Sequence, residues 1–400
     1  MIQAVDEFGK ERQEEAAAAS RMRRWLGTVR NVVREVGRVA GVPLGVLLGG
    51  VLLQMSAALL PEQTERLYVR AVYPHIPATL SLVSGRFGFS LGELLTFAVL
   101  TAGVGILVRF CFLLYRRRGE RARSALGALR FSAWLAAGLL WLFMLTFGLN
   151  YQRPLLFDLL GFERRSASAA ELEAMGQEVV GRINESYAEA HADGRAVPDS
   201  EQIKALLKES YDASPDLALL PRGTFAPPKP LFASGTFTRI GLSGVYSPFT
   251  GEPNYNADMP DFQLPFTMAH EMAHQRGVAR ESEANFVAYL VCINSRDPFV
   301  RYSGYRNGLG VLSELYRVEP EKARELAKQL SPGFREDSRR AALFWAKAYG
   351  PAAALTNRVN DLYLRANRVR KGTADYAAST TLIVGYYLRE LKRAEQPAPN

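Results

Sequence analysis

The stretch HEMAHQRGVARESEAN, residues 270–285, gathers the side chains best suited to hydrolytic chemistry in this 400-residue sequence. His270 and His274 are four residues apart, and Glu271 follows the first of them. The chain has only four histidines, His75, His191, His270 and His274, so abundance does not account for an H-E-x-x-H pattern. The flanking FTMA and the internal MA make the segment a largely apolar helix rather than a solvated one. On an α-helix, residues four apart share a face one turn above each other, so two imidazoles can reach one zinc ion. Glu271 then lies about 100° round from His270, beside the metal and not on it. That is the position of a general base, which takes a proton from a water whose pKa zinc lowers to about 7.

A catalytic zinc needs a third protein ligand and an open fourth position. His75 and His191 are remote in the sequence. In the pattern H-E-x-x-H-x-x-G-x-x-H the glycine is present as Gly277, but the last position is Arg280, whose guanidinium does not bind zinc. The next residue, Glu281, offers a carboxylate, and the site reads as two histidines and one glutamate. Gly277 permits a sharp turn that brings a second helix, ESEANFVAYLVCI, back against the first. Asn285, four residues after Glu281 on the same face, is placed to orient a ligand. Glu283 points elsewhere on that helix and is the alternative ligand; otherwise both glutamates simply favour a helix N-terminus. Donors for a developing oxyanion would come from Tyr246, Tyr255, Tyr302 or Tyr305, with Arg280 and Arg301 behind them, although tyrosines are also common core residues.

The elements that carry this site start in a membrane. Three apolar runs, 40–60, 89–115 and 131–150, are each long enough to cross a hydrocarbon core of about 30 Å. Glu93 and Arg109 fall near the ends of the second run, where long side chains reach the interface. The net charge of +9 is not spread as a nucleic-acid-binding stripe; much of the arginine flanks the apolar runs. Arg21, Arg23, Arg24, Arg30, Arg34 and Arg38 precede the first run, and Arg116, Arg117, Arg118, Arg121, Arg123 and Arg130 fill the loop between the second and third. Such loops stay in the cytoplasm, so three spans deliver residues after about 151 to the outer side. The first run begins too late for a typical cleaved signal peptide. The expected organisation is a basic segment 1–39, a three-helix membrane region 40–150 and an outer domain 151–400. The spans hold no central charge of the kind that marks an ion path, which argues against a transporter.

The outer domain reads as mainly helical, with amphipathic helices at 169–192 and 200–212 and several more from 303 onward. Residues 239–266, rich in Gly, Pro, Asn and aromatics, carry short β-like pieces just before the histidines. An extended substrate could pair with such an edge, or the segment could be a structured loop with no ligand. The two cysteines, Cys111 in a span and Cys292 in the second site helix, are not expected to pair, and Cys292 reads as a small buried hydrophobe.

The stretch GVYSPFTGEPNYNADMPDFQLPFTMAHEMAHQRGVARESEANFVAYLVCINS, with FGLNYQRPLL and YSGYRNGLG, resembles the uncharacterised bacterial family catalogued as domain of unknown function thirty-eight ten. The resemblance covers most of the chain and implies a membrane-anchored, zinc-peptidase-like protein of a bacterial cell membrane. ESEANFVAYL is also similar to the E-x-x-A-N helix of gluzincin-type peptidases, whose first glutamate is the third zinc ligand and maps onto Glu281. The expected protein is thus a zincin-like metallopeptidase with one zinc per chain, a peptide or protein substrate, a lipid bilayer around its spans and no nucleic acid. The alternative is a zinc-binding scaffold or sensor without turnover.

Overall fold

The computed structural model describes residues 2–116, 121–163 and 165–395. Arg117 and Arg118 of the expected cytoplasmic loop lie outside the described residues. The chain is mainly helical with one small sheet. Three helical segments are long and apolar enough to cross a membrane: Gly41–Leu59, Leu91–Arg116 and Ser124–Thr146. The chain divides into two compact units, Met1–Met55 with Val99–Leu142, and Ser56–Ala98 with Phe143–Asn400.

The first unit contains most of the apolar helices. The Trp141 indole N–H donates to the Val46 carbonyl at 3.0 Å, and a Cβ at Gly50 would lie 2.8 Å from Leu140. A glycine at this crossing lets two helices approach closely, as packing without a hydrophobic driving force requires.

The second unit differs from the expected domain 151–400 in two ways. It takes in Ser56–Ala98, the segment between the first two apolar runs, and it begins at Phe143. The third run does not continue to 150 as a span. Its helix stops at Thr146, and Gly148–Gln152 form a buried 3₁₀ turn in which the Asn150 amide donates to the Phe147 carbonyl. A polar side chain that can satisfy itself locally ends the helix where glycine weakens it. Glu93 also departs from expectation. Its carboxylate is buried and accepts the backbone N–H groups of Phe232 and Ala233, both at 2.8 Å, instead of reaching an interface.

The expected helices at 169–192 and 200–212 stand at Ala169–Ala190 and Ser200–Ala213. Both start at capping boxes, Ser168 with Glu171 and Asp199 with Gln202, which satisfy their first N–H groups. The segment before the histidines forms a hairpin of β2, Gly244–Ser247, and β3, Glu252–Tyr255. Strand β1, Lys229–Pro230, pairs in parallel with β3, so the order is β1-β3-β2 and β2 is an edge. Glu252, fully buried, accepts from the Lys229 ammonium at 2.6 Å and from the N–H groups of Leu91 and Gly92 at 3.1 and 2.7 Å. The start of the second apolar helix is thereby tied to the sheet. At the centre of the unit lies the helix Glu281–Ile293, apolar on nearly every face and therefore buried. Cys292 is part of that core, and burial pushes its thiol up.

Candidate functional site

The histidine helix, Leu264–Gln275, has Pro265 in its first turn, where a missing N–H costs nothing. It ends in a reversal at Gly277, whose φ is +83°. A Cβ there would also meet the Tyr73 ring at 2.9 Å and Asn150 Oδ1 at 3.1 Å, so both backbone and space demand glycine. The Tyr73 hydroxyl is shared between the carbonyls of His274 and Gln275, at 3.1 and 3.2 Å. The His274 carbonyl also accepts the Gly277 N–H at 2.9 Å, so Tyr73 adds a second donor where the helix ends.

The reversal brings Glu281 against both histidines. His270 Nε2 and His274 Nε2 are 3.0 Å apart, and Glu281 Oε2 lies 3.1 Å from the first and 3.4 Å from the second. These three form the one group of metal-type donors found among the described residues. The fit to zinc can be tested by geometry. With bond lengths of about 2.0–2.1 Å, ligand atoms of a tetrahedral zinc stand about 3.4 Å apart. The observed triangle is within a few tenths of an ångström of that size. His274 Nδ1 lies 2.7 Å from the Val278 carbonyl, a bond in which Nδ1–H donates and Nε2 keeps its lone pair. Burial opposes charge on both His274 and Glu281, but their mutual attraction wins. His274 rises to about 9, and Glu281 is held well below the usual carboxylate range by His274 and His270. The ionised Glu281 carboxylate is the charge suited to a cation, and a metal bound there would displace the extra proton that the carboxylate holds on His274.

Glu271 is buried beside this group, and its Oε2 accepts no hydrogen bond among the described residues. Burial pushes its carboxyl up to about 7; the two imidazoles pull it down, and the charge on Glu281 adds to the rise. Strand β2 fixes its position. A Cβ on Gly244 would fall 2.5 Å from Glu271 Oε1 and 2.7 Å from the Asn254 carbonyl. The glycine lets the strand backbone pass directly over the carboxylate.

The remaining expected residues separate clearly. Asn285 stands half-buried one turn beyond Glu281. Glu283 faces away, as expected, and accepts the Leu156 N–H at 2.8 Å and the Arg280 guanidinium at 3.4 Å. Arg280 also donates to the carbonyls of Tyr151 and Arg153, so it braces the turn. The Tyr302 hydroxyl donates to Asp337 at 2.8 Å, and Arg301 is engaged by Glu189 and the Ser295 and Arg296 carbonyls. The Tyr305 ring packs against Tyr289, and that of Tyr255 lies under Lys204. Tyr246 is connected to the site, with its ring 5.4 Å from Phe147, which in turn lies 6.2 Å from His274. Its hydroxyl is bonded to that of Tyr73.

A tyrosine that the sequence did not single out feels the charge of Glu281. Tyr363 is pushed up to about 12, first by desolvation of its hydroxyl end and also by the carboxylate of Glu281. Tyr151 donates to it at 3.3 Å, so Tyr363 retains its own proton for donation. Its position more than 80 residues after Glu281, on the exposed helix Pro351–Ala366, left no local signal to find it by.

Comparison with curated proteins and with solved structures finds no match. The family model described as "Protein of unknown function (DUF3810)" matches residues 68–384, most of the chain and all of the site, and the chain belongs to that family.

Proposed function

We propose that this chain is a membrane-anchored zinc metallopeptidase. His270, His274 and Glu281 would hold the ion. When bound, zinc supplies a Lewis acid that makes water nucleophilic near neutral pH. Glu271 takes a proton from that water and passes it to the leaving amine. Tyr363, whose hydroxyl feels the Glu281 charge, would donate to negative charge that develops there. An extended peptide would lie along β2, which pairs with β3 on one side and is an edge on the other.

The observation that carries the reading is the Glu271 carboxylate, buried without a hydrogen-bonding partner for Oε2 beside a His–His–Glu group. A purely structural metal site has no use for such a group, and burying it unpaired is costly. Full-length protein in detergent should cleave members of a peptide library, and a chelator should abolish the cleavage. Intact peptides under both conditions would leave a metal-binding scaffold as the better account. Gly244→Ala gives a second check. The added methyl must displace Glu271 or the strand, and a shift of about 1 Å at a reacting group costs on the order of 100-fold in rate. Turnover should fall by that order while the metal content stays at the wild-type level. Unchanged turnover would mean that Glu271 does not act from this position.

Membrane anchoring rests on the three apolar helices, few of whose residues are covered within the chain. Exposed apolar surface of that extent needs lipid. Ser56–Ala98 and Phe143–Asn400 pack as one unit, so both must lie on one side of the bilayer, as three spans allow. Because positive loops stay in the cytoplasm, the arginines between the second and third spans support the outer side for that unit. A reporter fused at the C-terminus should therefore behave as extracytoplasmic, and a cytoplasmic readout would reverse the orientation.

A further inference from the structure

A basic cavity has none of His270, His274 and Glu281 in its lining. It is an open cleft of about 600 Å³ lined by Arg153, Arg280, Arg365, Arg368 and Arg370, with no carboxylate residue in its lining among the described residues. Ala58 and Pro61, at the end of the first apolar helix, complete its wall. Three of the guanidiniums are already neutralised. Arg153 pairs with Glu65, Arg280 with Glu283 and Arg365 with Asp361. Arg368 and Arg370 make no side-chain hydrogen bond or ion pair among the described residues, so the cavity presents an excess of two positive charges.

The backbone at Arg368 is unusual in the same place. The helix Pro351–Ala366 closes with the Arg368 N–H on the Arg365 carbonyl and the Val369 N–H on the Leu364 carbonyl. This is the paired closure whose left-handed position normally takes glycine. Arg368 occupies that position with φ +69°, the one non-glycine residue with positive φ among the described residues. Arg368 and Arg370 are exposed, so their guanidiniums are open to a ligand from outside, and a strained residue kept where glycine would serve is a candidate for such a role.

The same helix exposes an apolar stripe. Leu355, Val359 and Leu362 are 63, 57 and 60 % exposed at a spacing that puts them on one face. Tyr363 on this helix packs edge-on against Phe143, near the end of the third apolar helix, at 5.9 Å. An amphipathic helix with basic residues at its end, set beside the ends of two spans, has the character of an element lying in a lipid headgroup layer.

We propose that the arginine-lined cavity binds the phosphate of an anionic lipid headgroup, with the Leu355–Leu362 stripe resting on the bilayer beside it. Guanidiniums match phosphate oxygens in paired hydrogen bonds, and basic pockets next to spans select anionic lipids. The proposal rests on the membrane-anchored reading above but not on zinc or turnover.

Full-length protein in neutral detergent, stripped of lipid, is titrated separately with phosphatidylglycerol, phosphatidylcholine and inorganic phosphate while Tm is read. Phosphatidylglycerol should raise Tm, and the other two should have little effect at matched concentration. Arg368→Gly relieves the strained backbone, so its Tm without lipid should equal or exceed that of the wild type. Combined with Arg370→Gln, it should raise the phosphatidylglycerol concentration needed for half the effect by at least about tenfold. An equal rise from inorganic phosphate would reject the lipid and identify a soluble phosphate ligand. An equal rise from phosphatidylcholine, or an unchanged titration in the double variant, would overturn the site. Zinc content and the detergent requirement, read on the same samples, report separately on the metal and on anchoring.

Discussion

Glu271→Gln is expected to fold normally, to hold zinc as the wild type does and to lose turnover by about 10²–10⁴-fold. Glutamine keeps the shape of the side chain and an acceptor oxygen, but it does not take up the proton of water. The Glu271 carboxylate touches neither Arg nor Lys, and its Oε2 accepts no hydrogen bond among the described residues. Replacing it with a neutral amide therefore breaks no ion pair and removes a charge that is costly to bury. Stability should hold or rise, which separates a chemical defect from a folding defect. The measurements are metal content, thermal unfolding and peptide cleavage on the same preparation. Cleavage at the wild-type rate would end the case for Glu271 as the base. Equal metal content with cleavage absent from both proteins would favour a scaffold.

Parts of this site can be read directly from sequence because helical periodicity carries them. The four-residue spacing puts His270 and His274 on one face, and Gly277 announces the reversal that brings Glu281 to them. The two-residue offset sends Glu283 to the Leu156 N–H. The three apolar helices follow from composition alone. What escapes such reading depends on contacts between distant segments. Tyr73, which braces the end of the histidine helix, is 201 residues from His274 and comes from a segment that reads only as a loop between spans. Gly244 gives no local sign that its missing Cβ makes room for Glu271. Sequence offers Tyr246, Tyr255, Tyr302 and Tyr305 without ranking them, yet the Tyr302 hydroxyl is committed to Asp337 and Tyr363 feels the charge of Glu281. The third span ends at Thr146 rather than 150 for a related reason. Residues 147–150 are apolar enough to extend it, but the packing of Phe147 and Asn150 in the site unit takes them out of the helix.

Removal of the proposed zinc ligands is the other large expected effect. Purified wild-type protein should carry about one zinc per chain. His270→Ala is the cleanest removal, since the contacts of that ring are with His274 and Glu281. Zinc affinity should fall by more than the roughly 10–100-fold that loss of an orienting partner costs. His274→Ala should lose zinc too, with some loss of stability, because the Val278 carbonyl is left without its donor. Glu281→Gln replaces a carboxylate ligand with a poorer neutral one and should weaken binding while the turn stays intact. Glu283→Gln is the control that carries the argument. Its carboxylate pairs with Arg280 and caps the Leu156 N–H, so the substitution should cost about 1 kcal/mol of stability and leave zinc in place. Zinc should also dissociate as pH falls, because a protonated imidazole has no lone pair to give. Zinc retained in both histidine variants would remove this centre from consideration. Zinc lost from Glu283→Gln and kept in Glu281→Gln would contradict the placement of the two carboxylates on either side of their helix.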